Sequence, residues 1–404
     1  MPNGKADNCS ALRYLRVIVH GVTYAFFIKP IPVPNRPTVS AKDVTVVLPT
    51  TASDIDALAA CMQSILANNP SKLVLVTSTE KLQTVKDMCP VRGIDTEKVQ
   101  VLGVMKLNKR SQIMKGLDTV FTDITVFADD DVVWPKTFLQ YLLAAFEDPA
   151  VGAAGTKQRI RRVEKPNLWH FLGVSYIERR NYHTGSLNAI DGSVFSALSG
   201  RTSSYRTHIL RDKKMRNDFL FDTWGGDPLH ADDDSWLTRY AYSKGWKIRL
   251  QFAEEAMIHT PLEETSKYLD QCLRWARGHR LTSFRAMKQS FWYRSHPWSV
   301  YAVYTLLWII PSVVVEVVLA CLLYHEVGQD VDKTLVMAMF GIWLLFTKLV
   351  KLIPHFSCYP QDLIYVPAAI LFGWIHGFIN IYALLTLSTT VWGSRDLGEG
   401  EKKE

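Results

Sequence analysis

Ile124-Thr125-Val126-Phe127-Ala128-Asp129-Asp130-Asp131-Val132-Val133-Trp134-Pro135 is a β-rich run that passes without a break into three consecutive aspartates. Upstream of it, short runs rich in Val, Leu and Thr alternate with helical patterns. Strands are expected at 44–49, 73–77, 99–105 and 124–128, and helices at 54–67, 80–88 and 110–120. This alternation predicts an α/β fold with a parallel sheet covered on both faces. Ligands of such open sheets bind beyond the carboxyl ends of the strands, which is where Asp129, Asp130 and Asp131 fall. No GxGxxG follows the first strand and no GxxxxGK[ST] occurs, so the sequence supports neither a dinucleotide fold nor a phosphate-binding P-loop.

The chain has 404 residues, enough for one large domain plus an appendage without disulfide or metal staples. Its six Cys are scattered, with no CxxC, which argues against a zinc site or a disulfide framework and for a reducing compartment. A net charge of +7 suits nucleic acid, an anionic membrane face or a phosphorylated substrate. The C-terminal composition decides among these. Residues 298–324 hold one formal charge, Glu316, and residues 335–353 and 363–392 form two further apolar runs. Each is long enough to enter a hydrocarbon core about 30 Å thick. The N-terminal run 14–28, interrupted by Arg16 and His20, reads as an interfacial or marginal membrane helix ahead of a Pro-rich linker.

Three motifs carry chemistry. Asp129 and Asp131, two apart at a strand end, suit joint ligation of a hard divalent cation, while an acidic turn capping the next helix is the plainer reading. Asp232, Asp233 and Asp234 form a second acid cluster before an apolar-periodic run. It suits a general base that deprotonates an acceptor hydroxyl, and equally a helix N-cap. Gln271, Arg274 and Trp275 share one helix face, where an amide, a guanidinium and a flat ring can meet one ligand. The surrounding Arg277, Arg280, Arg285 and Lys288 also fit a basic amphipathic helix on a membrane surface.

In this order, ahead of apolar spans, these motifs resemble the processive family-2 glycosyltransferases, the hyaluronan, chitin and cellulose synthases, and are most similar to fungal type 2 glycosyltransferases. Lys109-Arg110 is similar to the family's diphosphate-contacting pair, Ser199-Gly200 with Tyr205-Arg206 to its acceptor segment, and Trp392-Gly393-Ser394-Arg395 to its terminal gating segment. The resemblance covers about residues 41–395 and implies a GT-A catalytic domain followed by interfacial and transmembrane α-helices. It implies Mg²⁺ or Mn²⁺ on Asp129 and Asp131, and Asp234 as the base with Asp233 beside it. Lys109, Arg110, Asp129, Gln271, Arg274, Trp275 and Arg395 would hold the donor. It further implies a UDP-sugar donor, anomeric inversion, membrane lipids as partners and no nucleic acid.

Two positions depart from the family pattern: Thr50-Thr51-Ala52-Ser53-Asp54 stands where relatives carry an acid after the first strand, and Thr77-Ser78 replaces the acid after the second. The expected organisation is 1–40 N-terminal helix and linker, 41–260 catalytic domain, 261–297 amphipathic helices, 298–392 transmembrane or re-entrant helices and 393–404 a charged tail. The expected product is a β-linked polysaccharide exported to the cell surface or wall, from an integral membrane enzyme of the plasma membrane or an endomembrane whose catalytic domain faces the cytosol. Non-processive glycosylation of a lipid or hydrophobic metabolite is the alternative. Glu316, ionisable amid apolar residues, is expected to line an exit path. Residues 363–387 are expected to break near Gly373 or Gly377 rather than cross once as a straight helix.

Overall fold

The computed structural model describes residues 4–194, 197–229, 231–305, 311–328 and 330–389. The gating segment expected at Trp392 to Arg395 lies outside them. The chain forms two compact units. One comprises Lys29–Arg161 and Gly192–Pro261, and the other Arg162–Asp191 and Leu262–Leu387 together with the N-terminal stretch to Ile28. This departs from the continuous 41–260 span expected for the catalytic domain, because the helix Leu168–Asp191 groups with the helices of the second unit.

Among its described residues the first unit carries eleven strands: β1 (Val44–Pro49), β2 (Lys72–Ser78), β3 (Val99–Val104), β4 (Ile124–Ala128), β5 (Val151–Thr156), β6 (Gln158–Ile160), β7 (Thr202–Arg206), β8 (Thr223–Trp224), β9 (Asp227–Pro228), β10 (Lys247–Gln251) and β11 (Ile258–Thr260). Seven of them form one sheet in the order β10-β5-β7-β4-β1-β2-β3. All pairings are parallel except those of β7, which runs antiparallel to β4 and β5. Every residue of β1 and β4 is buried, as apolar runs covered on both faces must be. Val46, Leu48, Leu75 and Val126 join Leu58, Met62 and Ile65 of the helix Ile55–Leu66 in one core. Beyond β4, Trp134 stacks on Phe138 with ring centroids 4.2 Å apart, and its Nε1 donates to Thr202 Oγ1 at 3.1 Å. The backbone after the aspartates is thereby fixed from both sides.

The helix Lys109–Leu117 lies against β1 and β2, and Gly116 permits the approach, since a Cβ there would sit 2.4 Å from Val47 Cγ1. Asn108 caps this helix, its Oδ1 accepting from Arg110 N at 2.9 Å and Ser111 N at 3.3 Å. Sheet contact at one end and the cap at the other hold Lys109 where the strands end.

The second unit inverts the usual polarity of a soluble domain. Its interior holds polar groups: His20 Nδ1 lies 2.9 Å from His183 Nδ1, and Trp298 Nε1 donates to His20 Nε2 at 3.0 Å. His355 Nε2 lies 2.8 Å from Asp362 Oδ2, and Arg162 forks onto the same carboxylate. Large apolar side chains face outward instead, among them Phe26, Met339, Ile342, Ile364 and Leu385. Two helical stretches, Lys333–Cys358 and Pro360–Leu385, are long and apolar enough to cross a membrane. The first apolar run is divided: Pro311 precedes the helix Ser312–Glu326, which has 15 residues.

Two expectations are corrected here. Glu316 is buried and spent on protein partners, pairing with Lys348 Nζ at 2.5 Å and accepting from Trp374 Nε1 at 2.9 Å. It ties three helices together rather than facing an open path. The helix Val366–Leu385 also runs unbroken through Gly373 and Gly377. Gly377 acts as a packing notch, since a Cβ there would meet Pro311 Cβ at 3.0 Å, and Asn380 Nδ2 donates back to His376 O at 2.9 Å, so the polar pair is satisfied within the helix.

Gly116→Ala is expected to lower stability by about 1–3 kcal/mol through overpacking against Val47, read as a lower thermal midpoint; an unchanged midpoint would show that the sheet accommodates the methyl. Glu316→Leu leaves Lys348 without its anion and is expected to cost on the order of 3 kcal/mol, more than the double variant Glu316→Leu/Lys348→Leu. Additive losses in melting experiments would show the pair to be uncoupled.

Candidate active site

Three segments of the first unit meet at the carboxyl end of the sheet. β4 delivers Asp129, the helix Lys109–Leu117 delivers Lys109 from its first turn, and the helix Asp233–Ser243 delivers Asp233 and Asp234 from its first turn. Lys109 Nζ donates to Asp129 Oδ1 at 2.8 Å and lies 3.4 Å from Asp233 Oδ2. The structure thus joins the two acid clusters through one ammonium. Burial by itself pulls the Lys109 ammonium down, but Asp129, Asp233 and Asp234 outweigh it and hold the group charged above the ordinary lysine range.

Asp234 is fixed by main-chain donors. Its Oδ2 accepts from Gly200 N at 3.0 Å and its Oδ1 from Ser235 N at 2.7 Å. Thr238 Oγ1 donates to Asp234 O at 2.7 Å and accepts from Leu198 N at 3.0 Å, which ties the loop before β7 to this helix. Burial pushes the Asp234 carboxyl up, Asp233 and Asp232 add repulsion, and Lys109 and the Gly200 N–H oppose them; the outcome is about 6. A carboxylate in this range is a competent proton acceptor near neutral pH. Ahead of it, Asp232 takes a left-handed backbone (φ 67) and pairs with Arg239 at 3.3 Å. Asp232 stands at the N-cap position without a side-chain cap hydrogen bond, so its carboxylate serves the pair with Arg239 rather than the helix N-terminus.

Asp130 points elsewhere: its Oδ2 accepts from Thr50 Oγ1 at 2.5 Å. The threonine that replaces the expected acid after β1 thus holds the middle aspartate. Gln112, which the sequence did not single out, donates through Nε2 to Thr50 O at 3.0 Å and Val76 O at 2.7 Å, joining the ends of β1 and β2. Arg110 is buried, with its guanidinium donating to Phe219 O at 2.7 Å and Ala231 O at 2.8 Å and pairing with Asp222 Oδ2 at 3.2 Å. Its fork is occupied by protein, unlike the donor contact expected for it. Arg206 likewise serves the fold, donating through Nε to Val151 O at 2.8 Å and through Nη2 to Phe146 O at 2.8 Å.

Gln271, Arg274 and Trp275 lie on the helix Tyr268–Met287 of the second unit. Trp275 stacks on Tyr176, with centroids 4.6 Å apart and planes at 28°, and borders a small cluster of Leu172, Tyr268 and Cys272. Gln271 Oε1 is buried without a hydrogen-bond partner among the described residues. Arg395 lies outside the described residues.

Among the described residues no group of three or more His, Cys, Asp or Glu side chains is set to hold a metal ion. The oxygen donors of Asp129 and Asp131 nevertheless fit a hard cation that takes its remaining ligands from phosphate and water. The partly buried ammonium paired with Asp129 and Asp233 shows that this end of the sheet favours positive charge.

Residues 41–278 match the model of "Glycosyltransferase like family 2". A "Type 2 glycosyltransferase" of Zymoseptoria tritici is 39% identical over 398 residues, covering 95% of this chain and 82% of that protein. One of Pyricularia oryzae is 36% identical over 394 residues, covering 96% and 81%. An NDP-glycosyltransferase of Aspergillus luteorubrus is 31% identical over 289 residues, covering 68% and 69%. In fold, the mannosyltransferase PcManGT of Pyrobaculum calidifontis, solved with GDP-Man and Mn²⁺, superimposes with a TM-score of 0.56 at 15% identity, covering 91% of this chain and 97% of that one. The mostly parallel sheet is therefore a GT-A-type domain, and the chain belongs to glycosyltransferase family 2 as an enzyme that transfers sugar.

Proposed function

We propose that this protein is an integral membrane, inverting glycosyltransferase that transfers sugar from a UDP-sugar onto a growing β-linked polysaccharide and exports the product. The observation that carries the catalytic part is the Asp234 carboxyl fixed by the Gly200 and Ser235 N–H groups beside the Lys109 ammonium and the acids that close β4, a setting whose burial and neighbouring acids favour proton acceptance. Support for the membrane setting comes from the polar interior and apolar exterior of the helical unit and from its two 26-residue apolar stretches. UDP as the nucleotide and polymer as the product rest on the motif order. The metal rests on the donor set of Asp129 and Asp131, and on the Mn²⁺ bound by the fold neighbour.

In this reading Asp234 accepts the proton of the acceptor hydroxyl as that oxygen bonds to the anomeric carbon. The carbon–oxygen bond to the diphosphate breaks on the opposite face, and the nucleoside diphosphate leaves with the electron pair. Asp233 keeps Lys109 oriented, and Lys109 offsets the negative charge gathered at the sheet end. Asp129 and Asp131 would hold a divalent ion, which would supply charge neutralisation for the diphosphate. No nucleophilic side chain is required, which is why one base-assisted displacement inverts the anomeric centre.

The functional test is incubation of purified enzyme with labelled UDP-sugars and Mn²⁺, GDP-sugars as the comparison arm, and sizing of the product. Long chains are expected; single additions to a lipid or hydrophobic acceptor would replace the polymer reading with the non-processive one. Asp234→Asn is expected to lower transfer by about 10²- to 10⁴-fold while UDP binding persists. Wild-type transfer should fall as pH drops through about 6, where Asp234 becomes protonated and can no longer accept the proton. Near-normal turnover in Asp234→Asn would remove it as the base.

A further inference from the structure

We propose that Arg110 is a positioning residue that clips a β-hairpin to the helix lying on the sheet and thereby sets the placement of Asp233 and Asp234, rather than a ligand of the donor. The inference rests on the transfer reading above. The helix Lys213–Leu220 ends at a segment that turns out and back before the acids begin. β8 and β9 pair antiparallel, Thr223 opposite Pro228 and Trp224 opposite Asp227. Gly225 (φ 64) and Gly226 (φ 97) form the turn, with positive φ at both central positions as a two-residue hairpin favours. Leu229 N donates to Asp222 O at 2.9 Å and closes the base.

Arg110 holds both ends of this excursion with one guanidinium. One Nη donates to Phe219 O, where the helix ends. The other reaches Asp222 at the hairpin base and Ala231 O, the carbonyl just before Asp232. The guanidinium carbon lies over the Phe219 ring, 4.8 Å from its centroid. The group is buried, so these contacts form away from water, and a lysine's single ammonium cannot fork across three separated acceptors. Lys109, the preceding residue, reaches Asp129 and Asp233. One dipeptide therefore neutralises the acids and anchors the loop that carries them. Loss of the clip should move Asp233 and Asp234 against Lys109 and leave the donor's own contacts in place.

The test compares Arg110→Lys and Asp222→Asn with wild type in the full-length protein, using the UDP-sugar that the panel shows to be turned over, and UDP with Mn²⁺ for binding. Arg110→Lys is expected to lower kcat by about 10- to 100-fold, as a misplaced catalytic group does, with donor KM and UDP affinity within about threefold of wild type. Asp222→Asn takes the charge off one arm of the clip and should lower kcat less, again at constant KM, so the inference stays testable if Arg110→Lys fails to fold. Amide hydrogen exchange reads the clip without substrate: exchange across residues 221–232 should rise in both variants while β1 and β4 stay protected. A wild type inactive on UDP-sugars would count against the donor reading, while exchange would still decide the clip. A tenfold or greater loss of UDP affinity with kcat retained, or wild-type exchange at 221–232 in both variants, would overturn it.

Discussion

One ammonium allows two clusters of aspartate to share the end of a sheet. Asp129 and Asp233 approach Lys109 from different segments at 2.8 and 3.4 Å, and without a cation between them their like charges would drive β4 and the helix Asp233–Ser243 apart. The sheet supports this arrangement from below. β1 and β4 are in register without a bulge, Val46 opposite Val126, so the chain leaves both strands at one level and Thr50 meets Asp130. Close seating of the helix Lys109–Leu117 on β1 fixes the height of the lysine. Burial that is costly for each charge alone becomes tolerable for the set, and it raises Asp234 into a useful range.

Much of this was legible in the sequence, for a physical reason. β1 to β4 are Val- and Leu-rich runs bounded by polar segments, so their positions follow from composition, and the aspartates at the end of β4 lie at the edge where open sheets of this kind bind ligands. β7 was not legible as a strand: Thr202, Ser203 and Ser204 have the composition of a loop, and they are buried because Ser204 Oγ donates to Ala154 O at 2.7 Å and Trp134 Nε1 donates to Thr202. The departure of the helix Leu168–Asp191 from the catalytic span was hidden for the opposite reason, since it buries His170, Glu178, Asn181 and His183, polar residues that periodicity assigns to a surface.

Within the site, the acids were legible from type and spacing and Lys109 from the family resemblance, but the partners of each were not. That Gly200 contributes its N–H to Asp234, or that Arg110 faces inward while its neighbour faces the acids, depends on backbone placement that no motif encodes. The threonine after β1 likewise reads as a missing carboxylate until its hydroxyl is found on Asp130. In the helical unit Glu316 was visible as an anomaly in an apolar run. Its pairing with Lys348 on the next helix, and that of Asp362 with the distant Arg162, became visible only in the structure.

The account depends on the acids and Lys109 forming a cation-assisted site for a nucleoside diphosphate. Calorimetric titration of UDP into the purified protein, with and without Mn²⁺ and in wild type and Lys109→Met, tests this most directly. Binding that requires Mn²⁺ in the wild type and is weakened in Lys109→Met is the predicted result. UDP binding of equal affinity without metal and without the lysine would contradict it.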